Sequence, residues 1–325
     1  MSAPPRLVVH TGGHGVAVYA RQIADAVAAL GAQPLTLTRA ELDALPPGSP
    51  LHAHVTDRLW AASPEEAADA VTALARRHRV SVTLHDVPQS SDGPRNLPRR
   101  VAAYRAIAEA AAGVAVNSAH ERALLAEHDV FAAPVAVLPL PVDVASVAAP
   151  GTDDDGDVGV LGYFYPGKGH DEALAAASAA HIARLTVLGR ASDGHAVDLA
   201  GFVRRAGDAG VRVEVTGWLS DAEMLRRARR VAVPVIAHRH ISASGSLATW
   251  IGAGRRPVAV RNRYIDEMAQ LRPGTLRVVD DGDLAAAVRA AAADPATTWH
   301  GAAAVPWATP DAAEGYVRWW AQVHG

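Results

Sequence analysis

Residues 158–172 read Val-Gly-Val-Leu-Gly-Tyr-Phe-Tyr-Pro-Gly-Lys-Gly-His-Asp-Glu: an apolar run breaks into a glycine-rich turn with one lysine and then into a helix. Such a turn suits an anion. Backbone N–H groups at Gly167, Gly169 and the helix start can converge on it, the helix dipole favours negative charge there, and Lys168 adds a formal positive charge. The ligand this chemistry implies is a phosphorylated small molecule. The spacing of Gly162, Gly167 and Lys168 is also that of the P-loop of nucleotide hydrolases, but that motif needs a Ser or Thr next to hold magnesium, and position 169 is Gly. A plain strand-to-helix turn with a solvated lysine is the remaining alternative.

Three further polar segments carry chemistry. His10-Thr-Gly-Gly-His-Gly15 lies between an apolar run and a helix, so its glycines would let a ligand approach the backbone, although the full dinucleotide pattern is absent. His85-Asp86 offers an imidazole to donate and a carboxylate to accept, or merely a capped turn. Residues 241–247, Ile-Ser-Ala-Ser-Gly-Ser-Leu, are either an ordinary helix cap or a phosphate cradle. Together with Lys168 they would give two anion-binding helix starts, which matches a diphosphate.

The elements that must position these loops alternate short β-branched or Leu-rich runs with alanine-rich helical stretches, the pattern of parallel sheets with crossover helices. Strands are expected at 7–10, 34–37, 51–55, 80–84, 114–117 and 135–138, and again at 158–161, 184–188, 212–215, 231–235, 257–260 and 276–279. Helices are expected at 15–30, 64–78, 98–112, 118–127, 171–180, 196–209, 221–230, 244–253 and 283–293. The Pro/Gly/Asp-rich stretch 148–157 reads as an exposed linker, which divides the chain into domains at 1–147 and 158–309. The tail 310–325 carries Tyr316, Trp319, Trp320 and Val323 at helical spacing and reads as a closing helix that packs back on the N-terminal domain. The fold class is therefore α/β, with two doubly wound, Rossmann-like parallel sheets facing a cleft, and ligands belong at strand carboxyl ends.

Composition bounds the function. A chain of 325 residues, half of them apolar, supports about two cores. A net charge of −3 without a long basic stripe argues against a nucleic-acid partner, and the lack of cysteine excludes disulfides, thiolate metal sites and cysteine nucleophiles. The N-terminus leads straight into a strand and no run of about 18 apolar residues occurs, which reads as a cytoplasmic protein. Alanine-rich helices and arginine in place of lysine suggest a GC-rich bacterial genome.

Other constellations are weaker. His52-x-His54 and His238-x-His240 lack a fixed third ligand, so no metal is expected. There is no Gly-x-Ser-x-Gly elbow, and Asp153–Asp157 lacks the spacing of a calcium loop. Arg95, Arg99, Arg100 and Arg105 give one helix a basic side, read as a solvated face, though an acidic membrane surface or a phosphorylated acceptor would also suit it.

The order of these segments resembles the GT-B-fold retaining glycosyltransferases (group 1, family 4-like) that use nucleotide-sugar donors. The matching pieces are Gly12-Gly13-x-Gly15 through Tyr19, Thr83–Asp86, Val116–Ser118 and Leu138–Asp143, then Gly162–Asp171, Leu188-Gly189, Val215–Glu223, and Ser244–Leu247 with Gly254–Val258. The resemblance implies a metal-independent transferase without a cofactor, whose first domain receives an acceptor and whose second holds the donor. It implies Lys168 and His85 as catalytic residues, His85 by contact with the donor sugar. By position, it implies that Lys168 and the backbone of Ser244, Gly245 and Ser246 bind the diphosphate, that Trp218 and Leu219 lie by the nucleobase, and that Gly12 and Gly13 approach the phosphate from the opposite wall, with Gly15, Glu223, Ser242 and Leu247 as further donor-binding residues.

Two departures stand out. Tyr163 occupies the place of a family arginine, and the family's two spaced glutamates fall near Ser242 and at Thr249 or Trp250. Arg239, Arg255, Arg256 and Arg261 are the candidates to restore the charge. A catalytically silent nucleotide- or sugar-binding module and a GT-B-fold nucleotide-sugar epimerase remain the alternatives.

Overall fold

The computed structural model describes residues 4–31, 36–145 and 155–325. They form two compact units, one of residues 1–141 with 307–325, the other of residues 142–306. Each is built on one six-stranded parallel sheet.

In the first unit the strands are β1 (Arg6–Val8), β2 (Thr36–Leu37), β3 (Pro50–Val55), β4 (Arg79–Leu84), β5 (Gly113–Val116) and β6 (Val135–Val137), in the order β2-β1-β3-β4-β5-β6. Register places Leu7, His52, Ser81 and Gly113 in one row across the sheet. Because side chains alternate along a strand, two different faces result. Val8, Ala53, Val55, Val80, Val82, Leu84, Val114 and Val116 form an apolar core beneath helices Pro64–Arg77 and Gly93–Ala110. The opposite face carries His52, His54, Ser81 and Thr83, all buried. It is covered by helix Gly15–Ala29 and by the last helix, Thr309–His324, through Tyr19, Ile23, Tyr316, Trp319 and Trp320. Gly113 lies so close to that last helix that a Cβ would stand 2.7 Å from Val323.

The second unit contains β7 (Val158–Leu161), β8 (Arg184–Leu188), β9 (Arg212–Val215), β10 (Val233–Ile236), β11 (Val258–Val260) and β12 (Arg277–Val279), in the order β12-β11-β10-β7-β8-β9. The strand order reverses between β7 and β10, the doubly wound arrangement whose switch point opens a crevice at the strand carboxyl ends. Val158, Val160, Leu185, Val187, Val233 and Val235 face helices His170–Ala179, Ala196–Asp208 and Leu284–Ala293. Leu161, Leu188, Ile236 and Ala259 face Leu247, Trp250, Ile251, Ile265 and Met268 on the other side.

Most expected elements lie within a few residues of those observed, and the differences have local causes. The helix expected from Pro98 begins at Gly93, with Pro94 in its first turn and Pro98 inside it. Helix Arg263–Leu271 was not expected, and Asn262 caps it by accepting from the Ile265 N–H at 2.9 Å. The strand expected over 34–37 is observed as Thr36–Leu37, residues 34 and 35 lying outside the described chain. Of the acidic stretch 148–157, residues 148–154 also lie outside it, while the end is not a solvated linker. Asp155 pairs with Arg230 at 2.6 Å, and buried Asp157 accepts from the Ala232 N–H.

Candidate functional site

The glycine turn after β7 and the segment after β10 meet at the switch point of the second sheet. Gly169 adopts φ +97° and packs so tightly on the loop after β10 that a Cβ would lie 2.6 Å from the Ala237 carbonyl carbon. This contact holds the turn against the segment leading to helix Gly245–Gly252 and brings Lys168 to Ser246, whose hydroxyl accepts from the ammonium at 3.2 Å. Gly162 leaves the space beside them open, a Cβ there falling 3.4 Å from Lys168 Nζ.

Lys168 is only 9% exposed, and no carboxylate pairs with it among the described residues. Burial pulls its pKa down to about 8, since no anion among the described residues offsets the loss of water around the ammonium. His170 and His238 are also buried, with both ring nitrogens of His170 and Nδ1 of His238 lacking hydrogen-bond partners among the described residues. Burial, and then the Lys168 charge, keeps both imidazoles neutral, His170 being pushed down to about 3. His170 packs between Phe164 and Phe202.

The helix-cap reading of the serine loop holds. Ser244 caps the helix, its hydroxyl accepting from the Leu247 N–H at 3.1 Å, while its own N–H donates to the Tyr264 hydroxyl. Leu247 is core, so neither its side chain nor its N–H is available to a ligand, against the expectation for that residue. The N–H groups of Gly245 and Ser246 sit in the first turn of the helix, where no intrahelical acceptor exists. Ser242 is buried, and Trp250 is fully buried in the core, where it could not take the place of an acidic residue toward a ribose. Thr249 points its hydroxyl at the Gly245 carbonyl.

Toward β9, the Gly189 N–H donates to Thr216 Oγ1 and the Gly217 N–H to the Gly189 carbonyl, fixing the loop that carries Trp218 and Leu219. Trp218 is 75% exposed, a flat apolar surface available for stacking, whereas Leu219 leans on the core. Glu223 lies in the first turn of helix Asp221–Arg230 and is paired with Arg226.

Of the four arginines considered for the charge missing at 163, three are otherwise engaged, and Arg256 precedes β11, at the amino end of that strand and away from the carboxyl-end crevice that holds Lys168. Arg255 is buried and donates to the carbonyls of Ala228, Arg229, Val231, Ala232 and Thr298, so it ties elements together. Arg239 pairs with Glu172, and Arg261 with Asp266 and Asp280. Sequence reasoning missed Arg190, which stacks on Tyr163 with its guanidinium 5.0 Å from the ring centroid.

In the first unit, Gly12, Gly13 and Gly15 are exposed and their missing side chains would meet open space. Arg21, also missed, pins this turn by donating to the carbonyls of His10 and Gly12, each at 2.9 Å. His85 directly follows β4 and shares a 3.0 Å hydrogen bond with His54. Burial, with a lesser push from His14, lowers its pKa to about 3, so it acts as a neutral hydrogen-bonding group. The following residue, Asp86, turns the chain with φ +46°. His52 is engaged by Ser81 and Thr83, in hydrogen bonds of 3.0 and 3.2 Å.

The basic helix side is not a uniformly solvated face. Arg100 is largely buried between Asp57 and Asp92, Arg99 pairs with Glu65, and Arg105 donates to the Asp129 carbonyl.

No protein-family model and no curated protein sequence matches the chain. Solved structures do. HepE of Anabaena in complex with UDP-glucose is similar with a TM-score of 0.71 and 14% identity, over 98% of this chain and 100% of that one. Sucrose-phosphate synthase from Thermosynechococcus elongatus gives 0.68 and 18% over 98% and 96%. A point mutant of TarM of S. aureus, in complex with fondaparinux, α-GlcNAc-glycerol and UDP, gives 0.58 and 11% over 76% of this chain and 51% of TarM, so the chain spans about half of that protein. These likenesses and the two strand orders define a GT-B fold.

Proposed function

We propose that this chain is a cytoplasmic glycosyltransferase that moves a sugar from a nucleotide diphosphate-sugar to an acceptor, without a metal and with retention at the anomeric carbon. The observation that carries this reading is Lys168: a buried ammonium without a carboxylate partner, set at a switch point beside two helix starts. Burying a lone charge is costly unless a partner arrives, and a diphosphate is a partner of the right sign and size. As the glycosyl bond breaks, negative charge grows on the leaving diphosphate, and the ammonium with the N–H groups of Gly245 and Ser246 strengthens its hold in step. Retention follows if the acceptor attacks from the face the diphosphate leaves, which asks for no enzyme nucleophile. Trp218 offers a surface to the base and neutral His85 a hydrogen bond to the sugar. The UDP and UDP-glucose held by the structural neighbours make a uridine diphosphate-sugar the first donor to try.

The test is a thermal-shift screen of nucleoside diphosphates and nucleotide-sugars, followed by assays for donor hydrolysis and transfer. Lys168→Ala should cost a charge-assisted bond, about 1.5–3 kcal/mol or ten- to a hundredfold in donor affinity. Unchanged affinity in a folded variant would overturn the diphosphate assignment. The buried Trp250 and Ser242 favour a second reading, a module that binds donor without turning it over. Binding without hydrolysis or transfer would select it, and an epimerised free nucleotide-sugar would select the epimerase.

A further inference from the structure

The diphosphate of a nucleotide-sugar is a dianion that gains further charge on leaving, whereas Lys168 brings a single positive charge. Arg239, Arg255 and Arg261 do not make up the difference, since each is tied to acids or backbone carbonyls, and Arg256 stands at the amino end of β11, opposite the strand ends that hold Lys168.

Arg190 also donates to the Ala191 carbonyl and to Asp193, each at 3.2 Å through one guanidinium nitrogen, but it lies at the carboxyl end of β8, beside the glycine turn that carries Lys168. The Phe164 N–H donates to the Arg190 carbonyl at 2.8 Å and the Ser192 N–H donates to the Phe164 carbonyl at 2.9 Å. The chain after β8 therefore runs beside residues 162–164 as a continuation of the sheet. The side chain of Arg190 folds over the Tyr163 ring at 5.0 Å. Tyr163 directly follows Gly162, the residue whose open side stands 3.4 Å from Lys168 Nζ. A cation on an aromatic face is held in place without having its charge neutralised. The acid beside it is Asp193, at 3.2 Å and 96% exposed, so this pair is screened by water and readily displaced. Arg190 is itself 47% exposed and reachable.

The geometry points to Arg190, held on the ring of Tyr163, as the second cation of the diphosphate site. This rests on the reading of the site as one for a nucleotide diphosphate-sugar. A guanidinium presents a planar fork to two phosphate oxygens, which a lysine cannot do. The cation absent from position 163 is thus supplied from the neighbouring strand end, with the tyrosine as its platform.

The test is calorimetric titration of the full chain with UDP, GDP, ADP, CDP and dTDP and with their nucleosides, comparing wild type with Arg190→Gln, Tyr163→Ala, Tyr163→Phe and Lys168→Ala. Arg190→Gln should weaken the tightest-bound diphosphate by roughly ten- to thirtyfold and leave its nucleoside unchanged. Tyr163→Ala should weaken it by roughly two- to fivefold, and Tyr163→Phe should keep wild-type affinity. If Arg190→Gln binds the diphosphate as wild type does while Lys168→Ala does not, the inference fails and the reading of the site stands. Equal losses for diphosphate and nucleoside would place Arg190 against the base and overturn its phosphate role. If wild type binds none of the diphosphates, the reading fails and this inference with it.

Discussion

Two glycine turns occupy equivalent places in the two sheets, one after β1 and one after β7, and they use glycine for different reasons. After β1, the side chains that Gly12, Gly13 and Gly15 lack would meet nothing within 4 Å. The turn is exposed, carries no lysine, and is held from behind by Arg21. After β7, glycine is required by contact. Gly169 presses on the Ala237 backbone, and Gly189, at the next strand end, sits where a Cβ would be 2.2 Å from the Gly162 carbonyl oxygen. The compressed turn buries a cation, whereas the open one leaves room for a ligand to approach the backbone. On the proposed function, the difference separates a turn built to grip a compact anion from one that leaves its ligand less constrained.

The largest expected effect tests the compression. Gly189 has φ +155° and a backbone neighbour that cannot move without disturbing β7, so Gly189→Ala combines backbone strain with overpacking. It should destabilise the second unit by about 3–5 kcal/mol, or prevent its folding. Urea unfolding monitored by tryptophan fluorescence measures this, and a loss below about 1 kcal/mol would mean that the turn is not compressed.

A smaller effect tests the buried cation. Burial lowers Lys168 from 10.5 to about 8, so between those values the folded protein has released a proton that the unfolded chain keeps. Its contribution to stability is fully present above 10.5 and is lost as pH falls through about 8. Diphosphate binding at the proposed site should have the opposite slope. Below about pH 8 the ammonium is already charged, and above it a proton must be taken up for the anion to bind. Affinity should therefore fall by up to about tenfold per pH unit above 8, and Lys168→Met should remove most of that slope. Calorimetry at about pH 7 and about pH 9, one unit either side of that value, decides the matter, and a slope the same in both proteins would assign the titration elsewhere.

Much of this contrast was out of reach of sequence reasoning. Strand and helix periods were legible along most of both units because valine and alanine runs alternate cleanly there. Lys168 and the serine loop were legible because a glycine-flanked lysine and a Ser-Gly-Ser cap are local signals. Helix Arg263–Leu271 was not found, although Tyr264, Ile265 and Met268 recur at helical spacing, because its stretch is short and dense in charge. The partners of individual arginines could not be read at all. Arg255 looks like a free cation in sequence and is a buried tie between elements, while Arg190 acquires its place on Tyr163 only when β7 and β8 pair. The basic helix misleads for the same reason, since Asp57 and Asp92 reach Arg100 from other elements. Which glycines are compressed is likewise a property of packing.

The smallest expected effect is Gly13→Ala, and it bears most directly on what the open turn is for. Gly13 has no positive φ and no neighbour within 4 Å, so the added methyl enters solvent and stability should change by less than about 0.5 kcal/mol. The same substitution places a methyl group where a ligand would otherwise approach the backbone. If the turn borders a loosely held acceptor, transfer to a small acceptor should weaken by no more than about tenfold while diphosphate affinity stays at the wild-type value. A loss of diphosphate affinity with stability intact would show that the first turn also grips the anion, and the contrast between the two turns would then lie in their packing alone and not in their ligands.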